Sequence, residues 1–330
     1  MIGRVTLAVA LLLSAAMAGP ADAATTCSFS IAGSTMTLAG DCQTDATILV
    51  PDGMTLDGAG HTITAVDPPG GHFKGAVVAN GGLTAHVTGL TVTAAGLANV
   101  CDASTPLDTR LRGILFRGAG GSITHSEVVG INQGPSGCQE GNAIEVRNFG
   151  DAPGTVSVEI AHNVVDAYQK TGIVANGDVV ASIHHNNIGA SATQANLAAN
   201  AVQFGFGSTG TLEHNSIAGN QWCGPSDTVA TAVLIFDADG TVVAKNNIGG
   251  NADVGIYGFG SALVIDNNRV FDHGEDCNQQ GYDFGVIDDG AGNTVTNNKV
   301  RGYETPYEPE TLAGKGKGGN KSKKVPQPHQ

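Results

Sequence analysis

The phrase HNNI at residues 185–188 has six relatives along the chain: HSEVV from His125, HNVV from His162, HNSI from His214, KNNI from Lys245, NNRV from Asn267 and NNKV from Asn297. Aligned on their apolar anchors Val128, Val165, Ile188, Ile217, Ile248, Val270 and Val300, they recur at intervals of 22 to 37 residues. A short pattern returning at such spacing marks a solenoid, in which each unit buries its apolar face only against its neighbours. Two residues before each anchor stand Ser126, Asn163, Asn186, Asn215, Asn246, Asn268 and Asn298. Asparagine tolerates the left-handed backbone of a tight turn, and its amide can donate and accept along a stack. Five residues before each anchor the side chain is apolar throughout, from Ile123 to Val295. Val92 in GLTV and Ile63 in GHTI extend the series toward the N-terminus.

Upstream of each phrase lies another short run, as in GILFR from Gly113, AIEVR from Ala143, GIVAN from Gly172, AVQFG from Ala201, AVLIF from Ala232, GIYGF from Gly255 and GVIDD from Gly285. These runs are too short and too closely bounded by glycine for helices of ordinary length. Three short strands per coil with asparagine at one corner read as an all-β chain, a right-handed parallel β-helix of about nine coils. The 48 glycines, the single Trp and the abundance of Val, Ile, Thr and Asn suit stacked strands and tight turns. A solenoid grows by adding coils, so one structured domain is expected.

The asparagine column, the GLTV phrase and the G-I-x-x strands resemble the right-handed β-helix repeat superfamily that includes pectate-lyase-like enzymes and NosD-like periplasmic proteins. The resemblance covers residues 48–303 and concerns the fold more than any one activity, so function has to be argued from the site.

Residues 1–23 read as a signal peptide: Arg4, an apolar run over 7–17, and the small residues Ala21 and Ala23 at the positions a signal peptidase reads. A secreted protein without a membrane span is expected. Six cysteines, none in a zinc-spaced pattern, fit an oxidising compartment. Cys27 and Cys42 would pin a cap over 24–47, while Cys101 with Cys138 and Cys223 with Cys277 lie in long inserts that stack on one side. Other connectivities remain open from sequence. Residues 304–330 read as a flexible basic tail with five lysines; the chain as a whole carries −14, and the body over 24–310 carries −19. An acidic body of that kind repels phosphates and argues against nucleic acid as a partner.

Alternation along the G-I-x-x strands points Ile114, Ile144, Ile173, Val202, Val233, Ile256 and Val286 inward. The outward columns then read Val78, Leu115, Glu145, Val174, Gln203, Leu234, Tyr257 and Ile287, and Asn80, Arg117, Arg147, Asn176, Gly205, Phe236, Phe259 and Asp289. With coils about 4.8 Å apart, Arg117, Glu145, Arg147, Asn176 and Gln203 form a polar patch beside an apolar shelf containing Phe236, Tyr257 and Phe259. A polysaccharide is the ligand such a groove suits. The family resemblance implies Arg147 as base or carboxylate neutraliser, Arg117 as its substrate-binding partner, and Glu145 as an acid/base or a calcium ligand. An exposed cross-strand ion-pair ladder with no chemistry explains the same three residues.

His125, His162, His185 and His214 occupy one position in four successive coils, with His184 beside them. Stacked imidazoles could offer nitrogens to copper or zinc, and the NosD-like resemblance implies copper. Lys245, Asn267 and Asn297 continue the column, so a polar turn position accounts for it without a metal. Two readings follow: a monomeric, secreted carbohydrate-active protein, a lyase on acidic polysaccharide or a binder of it, and a non-catalytic extracellular module with a metal-binding variant.

Overall fold

A computed structural model describes residues 25–102, 108–192, 196–274, 277–314 and 318–323. The expected signal peptide lies outside these. Strands build three long sheets, here termed A, B and C, with eleven, eleven and ten strands. Sheet A runs from Phe29–Ala32 to Thr294–Thr296, sheet B from Cys42–Thr44 to Lys321–Lys323, and sheet C from Ile48–Val50 to Thr305–Glu308. Apart from one antiparallel pair, Phe29–Ala32 with Thr35–Leu38, the paired strands are parallel. Each coil contributes one strand to each sheet, which is the expected β-helix.

Three apolar columns fill the interior. Ile144, Ile173 and Val202 pair in register in sheet C, Ile160, Ile183 and Leu212 in sheet A, and Val165, Ile188 and Ile217 in sheet B. All nine are buried. Because each rung repeats the same side-chain shape, neighbouring coils bury one another with no further element needed. Small residues enter sheet C for steric reasons: a Cβ at Gly172 would stand 2.5 Å from the carbonyl oxygen of Ala201.

At the corner between sheets A and B, Asn163, Asn186, Asn215, Asn246, Asn268 and Asn298 are buried. Each Oδ1 accepts the amide N–H of the preceding member at 2.9–3.0 Å, from Ser126 onward. Each Nδ2 donates to a sheet A carbonyl one coil back, as from Asn215 to Ile183 at 3.0 Å. The left-handed backbone falls one residue earlier than the sequence reading placed it. His125, His162, His185, His214, Lys245, Asn267 and Asn297 have φ between +51° and +59°. The asparagine itself must turn its amide into the stack, so the preceding residue carries the turn.

The coils overrun the expected boundaries at both ends. Thr35–Leu38 and Cys42–Thr44 already pair in parallel with the next coil, inside the anticipated cap. At the other end Thr305–Glu308 joins sheet C, Lys321–Lys323 joins sheet B, and buried Asn320 accepts from the Asn298 amide at 3.0 Å. Part of the stretch expected as a tail from 304 thus belongs to the coil stack, since its polar composition hides this last asparagine. The disulfides are Cys27–Cys42, Cys101–Cys138 and Cys223–Cys277. Among the described residues, no helix is long and apolar enough to cross a membrane.

Candidate functional site

Sheet C carries its side chains in the register anticipated from Arg112–Arg117 onward: Leu115, Glu145, Val174, Gln203, Leu234, Tyr257 and Ile287 align, as do Arg117, Arg147, Asn176, Gly205, Phe236 and Phe259. The coil before them is shifted by one residue. Ala79 lies beside Leu115, and Val78 points into the core beside Ile114. Inserts preceding the strands wall this face, and Cys101–Cys138 and Cys223–Cys277 tie insert to insert. The wall is close enough that Glu145 and Val174, although outward-facing, are 2% and 1% exposed.

Under the wall lies an ion cluster. Glu145 accepts from Arg112 Nε, from Asn142 Nδ2 at 2.8 Å and from Arg147 at 3.3 Å. Asp108, from the insert, accepts from Arg147 and forms a two-pronged pair with Arg110 at 2.8 Å on both prongs. Burial alone would raise the Asp108 carboxyl, but Arg110, Arg147 and Arg112 together hold it well below the usual carboxylate range. The bond to Asp108 in turn holds the Arg110 guanidinium above its ordinary value. Arg147, with an 8% exposed side chain, is thus locked between two carboxylates. That position suits fastening the insert to the sheet better than abstracting a proton. Glu145 has both oxygens engaged by nitrogen donors and is a poor calcium ligand. Arg117 does not join the patch; its Nε donates to Asp151 at 2.7 Å, in the open.

Beside the cluster is a pocket of about 280 Å³, lined among others by Arg110, Arg112, Glu145, Lys170, Asn176, Gln203 and Phe206. Gln203 Nε2 donates to Asn176 Oδ1 at 3.2 Å, and Asn200 Nδ2 donates to Gln203 Oε1 at 3.1 Å. The two expected polar residues therefore hold each other at the pocket floor. Lys170 was missed in the sequence, since it belongs to the turn before Thr171–Gly177 and to no outward column. Its Nζ donates to the Ala198 carbonyl at 2.6 Å, and desolvation lowers its pKa to about 8.

From the pocket a row of phenylalanines leads across the sheet. Phe149, Phe206, Phe236 and Phe259 are 60%, 50%, 39% and 43% exposed. Successive ring centroids stand 6.3, 5.4 and 5.4 Å apart. Phe236 and Phe259 were expected; Phe149 and Phe206 lie just beyond their strands, outside the columns the alternation defines. Tyr257 is half-buried beside them, its hydroxyl pKa raised by desolvation and by Asp289. A larger hollow of about 510 Å³ lies elsewhere, on sheet B, lined by Arg269, Lys299 and Arg301 among others. These three cations are exposed.

At the opposite corner, His125, His162, His185 and His214 stack face to face with centroids 4.9, 5.1 and 5.4 Å apart. His184 stands edge-on to His162 and His185. Desolvation and the neighbouring imidazoles His184, His162 and His214 hold His185 below its ordinary pKa.

A family model described as "Right handed beta helix region" matches residues 142–307. Among solved structures the chain is similar to the Dettilon tailspike protein, with 14% identity, a TM-score of 0.47, and coverage of 81% of this chain and 54% of that one. It is similar to the enzymatically active domain of Bacteriophage CBA120 tailspike protein 2, with 9% identity, a TM-score of 0.45, and coverage of 89% and 42%. It is also similar to a variant of the periplasmic alginate epimerase AlgG, with 13% identity, a TM-score of 0.40, and coverage of 82% and 63%. The chain thus spans less than two thirds of each of these chains. No curated protein matches it.

Proposed function

This chain belongs to the right-handed β-helix family, and from that footing we propose that it binds an acidic polysaccharide laid along sheet C. The observation that carries the reading is the row of four exposed phenylalanines running into a charged pocket. Exposed rings in a continuous row are costly to keep in water and mark a contact surface. Their 5.4 Å spacing is close to the length of one sugar unit, whose apolar face stacks on a ring. Around the pocket, the four cations Arg110, Arg112, Arg147 and Lys170 stand against the three carboxylates Asp108, Glu140 and Glu145. That is a local positive excess in a chain of net charge −14, which favours a uronate or sulfated unit at this spot. Three disulfides support a secreted protein working in an oxidising compartment.

Lys170 favours a second, catalytic reading. A desolvated amine titrating near pH 8 is a competent base at neutral pH. In an eliminative step its neutral amine takes the proton from carbon 5 of a uronate. The carbon 4–carbon 5 double bond forms as the glycosidic oxygen leaves carbon 4 and picks up a proton. Arg110, whose side chain is part-exposed at the pocket, neutralises the uronate carboxylate during that step, while buried Arg112 stays paired with Glu145.

The test is a panel of pectate, alginate and glucuronan, with and without calcium, read by calorimetry and by ultraviolet absorbance. Binding to at least one acidic glycan and none to a neutral glucan is expected. Elimination adds unsaturated uronate absorbance, which Lys170→Met removes while binding persists at reduced affinity. A flat calorimetric response across the panel contradicts the proposal and leaves a structural surface module.

A further inference from the structure

The histidines at the corner between sheets A and B divide into two kinds. His125, His162, His185 and His214 repeat one turn position, which later coils fill with Lys245, Asn267 and Asn297. His184 belongs to a different column, the end of the sheet A strand, aligned with Thr124, Ala161, Glu213, Ala244, Asp266 and Thr296. It is the one imidazole in that column, and it turns the stack into a convergence. One ring nitrogen each from His162, His184 and His185 lies within 4.8 Å of the others.

The closest pair is more specific still. His184 Nδ1 faces His185 Nδ1 at 3.0 Å, while His184 Nε2 faces Glu159 Oε1 at 3.2 Å. A carboxylate on Nε2 keeps the proton there and leaves the Nδ1 lone pair pointing at the neighbouring ring, the tautomer a metal-binding histidine needs. Two nitrogens about 3.3 Å apart are what a tetrahedral ion with bonds of about 2.0–2.1 Å holds. The small Ala161 in the adjacent strand stands at the register of His184. Among the described residues the other cluster of ligand-type side chains, Cys101 and Cys138 with Glu140, has its sulfurs joined in a disulfide and offers no thiolate.

We propose that His162, His184 and His185 bind one divalent transition ion of the zinc or copper(II) class, with Glu159 orienting His184 from behind and solvent completing the coordination. Imidazole nitrogens select these ions over calcium or magnesium. The site lies on a different face from the phenylalanine row and stands or falls independently of the glycan reading.

The experiment titrates zinc chloride and copper(II) chloride separately into protein carrying no affinity tag, with metal uptake read by calorimetry and copper coordination by electron paramagnetic resonance. One tightly bound ion per chain is expected, with copper hyperfine structure from three nitrogens. His184→Ala weakens binding by at least about tenfold, and Glu159→Gln by about 10- to 100-fold or less. His125→Ala and His214→Ala leave the tight site unchanged. Circular dichroism on each variant checks the fold, which these surface side chains do not support. The proposal is overturned if wild type takes up neither ion, if His184→Ala binds as tightly as wild type, or if uptake is lost equally in the His125→Ala and His214→Ala variants.

Discussion

At Lys245 the backbone sits at φ +57°, and the neighbouring side chain Glu213 gives it only an exposed contact at 3.6 Å. The left-handed conformation costs a residue with a Cβ about 1 kcal/mol or more. Lys245→Gly therefore raises stability by up to about 1 kcal/mol, while the branched Lys245→Val lowers it by about 1–2 kcal/mol, measurable by urea denaturation. The phrase repeat made this position visible, although composition pointed to asparagine as the left-handed residue and the structure assigns that turn to the residue before it. Lys170 was not visible at all. Its environment is made by the Ala198 carbonyl, which belongs to another coil's insert, and no local pattern encodes that encounter. Since its folded pKa lies near 8, below the ordinary lysine value, its charge is present below that pH and lost above it. Affinity for an acidic oligosaccharide should accordingly fall as pH rises from 7 to 9, and Lys170→Met should flatten the profile. An unchanged slope in that variant would place the titrating group elsewhere.

Elements explain which parts of the site were legible. Strict alternation in the sheet C strands fixed the outward columns from Leu115 to Ile287, because a slip of one residue would turn isoleucines to solvent. Where a strand carries apolar residues on both sides, as in Ala76–Asn80, that constraint vanishes, and the reading placed Val78 outward when it is Ala79. Phe149 and Phe206 escaped for a related reason, lying where the strand has ended and alternation no longer applies. As a stacking surface, the row should lose about 1 kcal/mol of binding for each of Phe206→Ala and Phe236→Ala, roughly a five- to tenfold rise in Kd with little change in melting temperature. Asn215→Ala probes the corner. It removes the acceptor for the Asn186 N–H and the donor to Ile183, and leaving such buried groups unpaired costs about 3 kcal/mol.

Over the whole molecule, the β-helix is a simple consequence of repetition: equal side chains stack, and every rung closes the one beneath. What repetition does not specify is how the inserts fold back over sheet C. The outward columns show Arg147 as a candidate base because Asp108, which captures it, arrives from outside the repeat, and Glu145 is held by Arg112 and Asn142 as well as by Arg147. This cluster also ties the wall to acid conditions. The Asp108 carboxyl is lowered in the folded state, so its contribution is complete above the unfolded value near pH 4 and is lost as pH falls through the lower folded value. Wild type should lose more stability than Asp108→Asn between pH 6 and pH 2, followed by thermal melts. The account as a whole rests on sheet C as a glycan-binding face, and a crystal structure of the protein soaked with an acidic oligosaccharide tests it most directly. Sugar rings over Phe206, Phe236 and Phe259, with a carboxylate turned toward Arg110 and Lys170, are the expected result. Sugar bound on sheet A or sheet B with sheet C bare would contradict it.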